Sequence, residues 1–132
     1  MPSRSVSRIQ GRRAYGGLVL VPVQINALDF EFLVDTGAAY TAISTDLASL
    51  LDLTPSPQRQ LRIVLAQGAP LYMPQVSLPE LLIGRMRLSQ VDVLVMTFPA
   101  VLMLDGILGM NVLSQFRMTL ENDTSTLVLR TV

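Results

Sequence analysis

Beyond a polar opening, the chain alternates short apolar runs with turn residues at intervals too short for long helices. The segment "LVLVPVQI" at 18–25 has the β-branched character of a strand, and after "NALD" the segment "FEFLV" at 30–34 puts Phe30, Phe32 and Val34 on one face. These two runs predict a hairpin. Asn26-Ala27 lacks the glycine that a tight two-residue primed turn favours, so a slightly longer loop is expected. "YTAI" reads as a short strand, followed by a helix capped by Ser44 or Thr45, with Leu47, Leu50 and Leu51 on a shared face and Pro55 and Pro57 ending it.

"LRIVLA" and "PLYMPQVSL" then flank Gln67-Gly68-Ala69 as the arms of a second hairpin. "ELLIGRMRLSQVDVLVM" gives two further strands with a bend at Gly84, and "AVLMLDGILGMNVLSQF" runs into a short helical pattern from Asn111 to Phe116. A last hairpin joins "RMTLE" to "TLVLRTV" through polar residues 122–125. The elements add up to a mainly β domain with one or two short helices.

Composition narrows the chemistry more than it narrows the fold. At 132 residues one core is expected, and ten basic residues balance ten acidic ones, so no net field draws the protein to nucleic acid or to a membrane surface. The chain has no Cys and no His. That excludes disulfides, thiol nucleophiles, Ser-His-Asp and Cys-His catalysis and His-based zinc sites, and leaves carboxylates as the main acid-base groups. Every basic residue is Arg, which also excludes a lysine Schiff base and a Walker-type phosphate loop.

Four of the ten Arg lie in "MPSRSVSRIQGRRAYGG", which has no apolar centre and is not a secretory signal. Residues 1–14 therefore read as a flexible Arg-, Ser- and Gly-rich tail, and 15–132 as the domain. The longest apolar stretch, Val93 to Leu104, holds a Thr and a Pro and is too short to span a bilayer as a helix. The expectation is a soluble, cytoplasmic protein with no membrane or nucleic-acid partner.

One carboxylate stands out. In "FLVDTGAAYTAIS", Asp35 ends an apolar run and is followed at once by Thr36 and Gly37. By itself the tripeptide is compatible with an ordinary turn. Combined with the Gly-tipped hairpin some thirty residues later and with "GILGMNVL" before a short helix and closing strands, it resembles the retroviral-type (retropepsin-like) aspartic proteases, in particular their single-domain cellular and bacterial relatives. The resemblance covers roughly residues 18–129.

It implies a closed β-barrel acid-protease fold assembled as a two-fold homodimer. It also implies an active-site loop of Asp35, Thr36, Gly37 and Ala38, a substrate-covering flap at Ala66, Gln67, Gly68 and Ala69, and a structural second motif at Leu108 and Gly109. Asp105-Gly106 reads as a turn before that motif, and Tyr72 as a packing residue outside the site.

The sequence departs from the viral pattern at two places. Viral members carry an Asp four positions after the catalytic one and an Arg just after the second-motif Gly, paired as a salt bridge; here Ala39 and Met110 stand there. Loss of one partner would strand a buried charge at a cost of roughly 3–5 kcal/mol, whereas loss of both can be neutral. The joint replacement is consistent with an intact fold.

Peptide hydrolysis by this route needs a water between two carboxylates, one acting as base and one donating a proton. Asp46, Asp52, Asp92 and Asp105 are not followed by Thr-Gly or Ser-Gly, and Asp123-Thr124-Ser125 lacks the glycine and sits seven residues from the last one. The second carboxylate must then come from a second chain. Two such carboxylates cannot ionise together and share one proton.

Ala38 replaces the Ser or Thr usual in pepsin-like relatives, so the working range is expected to move toward mildly acidic or near-neutral pH. No metal or cofactor is called for. The sequence reading is thus a homodimeric aspartic endopeptidase acting on peptide or protein substrates. A non-catalytic dimerisation or peptide-binding module of the same fold and an unrelated small β barrel are the alternatives. By the same resemblance, "TLVLRTV" could donate terminal strands to an intersubunit sheet.

Overall fold

The computed structural model describes residues 5–63 and 68–132. The strands are β1 (Val6–Gln10), β2 (Arg12–Ala14), β3 (Leu18–Ile25), β4 (Leu28–Val34), β5 (Ala42–Ser44), β6 (Gln60–Ile63), β7 (Leu71–Ile83), β8 (Met86–Met96), β9 (Gly106–Leu108), β10 (Phe116–Glu121) and β11 (Thr126–Thr131). Between them lie α1 (Thr45–Leu50), a single 3-10 turn (Ala100–Leu102) and α2 (Met110–Leu113). The chain is mainly β with two short α-helices, as the strand-length apolar runs predict.

Eight strands form one sheet in the order β2-β3-β4-β9-β5-β8-β7-β6, and a pairing of Gln24 on β3 with Leu82 on β7 brings that sheet back on itself. Most neighbours are antiparallel, but β9 runs parallel to β4 with Val34 opposite Leu108, and β5 runs parallel to β8. The main core fills the interior with Phe32, Leu78, Leu81, Ile83, Leu108 and Leu129, all fully buried. Each such side chain contributes roughly 1.5–3 kcal/mol relative to exposure. A smaller cluster of Leu20, Leu33 and Leu104 packs separately, with Phe98, Leu102 and Ile107 half-buried against it.

Four ion pairs join described residues, and in each both side chains are well exposed. Exposed pairs of this kind contribute little, so the apolar core holds the fold. No helix of the described residues is long and apolar enough to cross a membrane.

Residues 6–14 are not a tail. β1 pairs along its whole length with β11, with Val6 opposite Arg130 and Gln10 opposite Thr126, and Ser7 and Ile9 are buried. The Ser7 hydroxyl accepts the Arg85 N–H at 2.9 Å, which satisfies its burial. β2 pairs with β3. The polar composition concealed this segment because a strand with one solvent face needs only alternate residues to face inward, and here those are a serine and an isoleucine.

β11 is the centre of a three-stranded sheet, β1-β11-β10. Both of its edges are occupied within the chain, so "TLVLRTV" is not free to pair with a second copy. In this sheet β1 and β10 are the outer strands.

The Asn26-Ala27 connection is the tight two-residue turn after all. β3 ends at Ile25, β4 begins at Leu28, and both turn residues have positive φ, 53° and 63°. Strand pairing with Ile25 opposite Leu28 outweighs the cost of placing Ala27 in the left-handed region. In α1, Ser44 is the cap, its hydroxyl accepting the Leu47 N–H at 3.0 Å. The buried positions of α1 are Leu47 and Ala48, with Leu51 half-buried just beyond it, while Leu50 is 65% exposed. At 100° per residue Leu47, Ala48 and Leu51 form one stripe, and Leu50 falls outside it.

Candidate active site

β4 carries Phe32, Leu33 and Val34 into the interior, and the strand stops at Asp35. The Asp35 N–H donates to the Leu108 carbonyl at 3.1 Å, continuing the parallel register of β4 and β9 by one step. The chain then turns, with the Ala38 N–H donating to the Asp35 carbonyl at 3.2 Å and the Gly37 N–H donating to Asp35 Oδ1 at 3.0 Å. A Cβ on residue 37 would lie 3.2 Å from that carboxylate oxygen, so glycine gives the backbone its closest approach to the acid. Asp35 is half-buried, Thr36 and Gly37 are exposed, and Ala38 is half-buried. The loop therefore turns its polar side outward.

The rest of the loop is strapped down from beneath. The Met110 N–H donates to the Ala38 carbonyl at 2.8 Å and the Asn111 N–H to the Ala39 carbonyl at 3.1 Å. The two positions of the missing ion pair are thus each held by a backbone bond, Ala39 to Asn111 and Met110 to Ala38, with no charge left over. Thr41 is fully buried, and its hydroxyl accepts the Gly109 N–H at 3.0 Å. Gly109 crosses directly over the Tyr40–Thr41 backbone, where any side chain would overlap the Tyr40 carbonyl. Leu108 and Gly109 thus lie behind the Asp35 loop.

Asp105 has a structural position. Its carboxylate accepts the Glu31 N–H at 2.9 Å, its own N–H donates to the Glu31 carbonyl at 3.1 Å, and its carbonyl accepts the Ser44 N–H at 2.9 Å. One residue thus ties β4, β5 and the start of β9 together. The Glu31 carboxyl is held below the usual carboxylate range, first by its hydrogen bonds from Arg12, with partial burial opposing.

Beside the loop lies an apolar cavity of about 250 Å³. Ala38 and Tyr40 form one wall, and Ala42, Leu94, Met96 and Ile107 form much of the rest. Ile63, at the end of β6, closes it from the hairpin side. Apart from Ala38, expected in the active-site loop, none of these residues was singled out by the sequence as lining the site, since a pocket wall looks like any other set of apolar strand positions. Thr41 and Asn111 were also missed. The available signals were a threonine inside the strand-like "YTAI" and a polar side chain straight after Gly109-Met110.

The hairpin of β6 and β7 pairs Gln60 with Pro74 and Ile63 with Leu71. Ala66 and Gln67 of the expected flap lie outside the described residues. Gly68, with φ +94°, and Ala69 are exposed. Tyr72 is 61% exposed, so it is not the packing residue the sequence suggested. It sits on a two-stranded arm with little core beneath it.

The sequence matches the aspartyl protease family over residues 21–112, a stretch that contains both the Asp35 loop and Leu108-Gly109. The backbone is similar to the crystal structure of a retropepsin-like aspartic protease from Rickettsia conorii, with a TM-score of 0.74 and 22% identity, covering 98% of this chain and 94% of that one. It is also similar to the retroviral protease-like domain of Ddi1 from Leishmania major, with a TM-score of 0.54 and 18% identity over 80% of each chain. No curated protein sequence matches. The structural likeness establishes a retropepsin-like fold, and the sequence match spans more than half of the chain: the chain belongs to the aspartyl protease family.

Proposed function

We propose that the protein is an aspartic endopeptidase whose active site forms between two copies of the chain, each contributing Asp35. The observation that carries this reading is the Asp35 loop itself, with its carboxylate half-buried and its Thr36-Gly37 side turned to solvent while its other side is anchored on Leu108, Met110 and Asn111. A loop fixed from behind and open in front has the arrangement a two-fold site requires. The homodimer is typical of the retropepsin-like fold.

In that site the two carboxylates share one proton, because like charges at such short range do not both ionise. The ionised carboxylate removes a proton from the water between them as its oxygen attacks the scissile carbonyl carbon, and the protonated one donates to the carbonyl oxygen. Collapse of the tetrahedral species breaks the C–N bond, with a proton passing to the leaving nitrogen and the shared-proton state restored. Thr36 would link the two loops across the axis. The cavity beside Ala38 suits an uncharged side chain of an extended peptide, since none of the described residues that line it is charged. The β6–β7 hairpin would cover the substrate and exclude water, with Gly68 giving its tip freedom.

The test is cleavage of a peptide library between pH 4 and pH 7, read by mass spectrometry, for the native chain and for Asp35→Asn. Cleavage by the native chain alone supports the reading. Silence from a folded native dimer would favour a binding module of the same fold.

A further inference from the structure

Asn111 makes two side-chain hydrogen bonds that join segments far apart in sequence. Its Oδ1 accepts the Thr41 N–H at 2.7 Å, and its Nδ2 donates to the Asp92 carbonyl at 2.9 Å. Its backbone N–H already holds the Ala39 carbonyl, and its own carbonyl accepts from Gln115 Nε2 at 3.0 Å. The two side-chain partners fix the amide orientation: a backbone N–H demands the oxygen, and a backbone carbonyl demands the nitrogen. One short side chain thus bridges the end of the Asp35 loop to β8.

We infer that Asn111 is a positioning residue for the proposed protease, setting the Asp35 loop against the β8 wall of the apolar cavity; this rests on the reading of Asp35 as the catalytic acid. Three observations carry it. Thr41 is fully buried, so the N–H that Asn111 accepts has no water to fall back on. The β8 residue next but one after Asp92 is Leu94, which lines the cavity and donates its own N–H to the Thr41 carbonyl at 2.9 Å. The charged pair that could have tied the loop to α2 is absent, since Ala39 and Met110 occupy its positions.

The asparagine side chain both accepts from an N–H and donates to a carbonyl, at any pH. Leucine has the same reach and does neither. An ionised aspartate accepts and cannot donate, and it sets a negative oxygen against the Asp92 carbonyl. A protonated aspartic acid does both.

The test uses the full chain with Asn111→Leu and Asn111→Asp, and Thr119→Ala as an exposed control. With peptide substrate, at a temperature where every variant is folded by circular dichroism, Asn111→Leu is expected to lower kcat about 10- to 100-fold with KM within about threefold, the range that misplacement of a catalytic group by about 1 Å produces. Asn111→Asp should approach native activity at the acid end of the profile, where its carboxyl is protonated. Its activity relative to native should fall as pH rises through the ordinary carboxylate range, about 4.

Amide exchange by NMR is the second readout and needs no activity. Thr41 and Ala38 should lose protection in Asn111→Leu and keep it in Thr119→Ala. Unchanged kcat in Asn111→Leu, or an Asn111→Asp profile parallel to native at all pH values, overturns the inference. If the native chain cleaves nothing, the protease reading fails separately. Amide exchange then decides whether Asn111 holds the loop, and unchanged protection at Thr41 and Ala38 overturns it.

Discussion

The N–H of Asp35 donates to the carbonyl of Leu108 at 3.1 Å, and Leu108 is completely buried. The candidate catalytic residue is therefore anchored by a backbone bond to a core residue more than seventy positions away, in addition to the bonds from Gly37 and Ala38 within its own loop. Truncating Leu108 to Ala removes packing from the floor beneath the loop. A loss of about 2–5 kcal/mol is expected, the range for a buried leucine, measurable by urea unfolding.

Gly109→Ala should also destabilise, for a different reason. A methyl group there overlaps the backbone at Tyr40 and Thr41, and backbone cannot rotate out of the way. The cost should reach the upper end of about 1–3 kcal/mol for overpacking, and cleavage activity should fall further than stability does because the Asp35 loop must shift.

Ala27→Gly should stabilise. Ala27 has φ 63° in a two-residue turn, a conformation that costs an L-residue about 1–2 kcal/mol. Glycine removes that cost but adds about 0.4–1 kcal/mol of unfolded-state entropy. A net gain of about 0.5–1 kcal/mol is expected, read as a higher melting temperature.

Removal of residues 1–10 should weaken the fold, because β11 would lose a full-length partner and Ile9 its place in the core. The measurement is thermal unfolding of the truncated chain beside the full one. Equal melting temperatures would show that the segment is dispensable. Self-processing that removed these residues would likewise remove a strand.

Glu31 sets a small pH dependence of stability. Its hydrogen bonds from Arg12 lower its pKa in the folded chain, so folding favours the ionised form. That stability is present above the ordinary glutamate pKa and is lost as pH falls through the lowered one. Both side chains are exposed, so the effect is small. Glu31→Gln should lower the melting temperature slightly at neutral pH and leave it unchanged well below pH about 4.

Much of the fold was legible in the sequence because its signals were local. The alternation of Phe30, Phe32 and Val34, the Asp35-Thr36-Gly37 turn and the Leu108-Gly109 pair each follow from side-chain period or backbone clearance. What escaped depends on contacts distant in sequence. β1 is a strand because β11 is there to pair with it, and Ser7 is buried because Arg85 supplies a donor. Asn111 matters because Thr41 and Asp92 meet on either side of it. No pattern within a short window reports such meetings. Burial of Asp35 is the intermediate case: the apolar run predicts it, and the chain leaves the residue half-buried.

The most direct test of the account mixes native chain with Asp35→Asn at fixed total concentration, under conditions where subunits exchange. If each site needs one Asp35 from each of two chains, cleavage should follow the square of the native fraction. An equal mixture should then show about one quarter of the all-native rate. A rate simply proportional to the amount of native chain, one half in the same mixture, would contradict a shared site and place all of the chemistry within one copy.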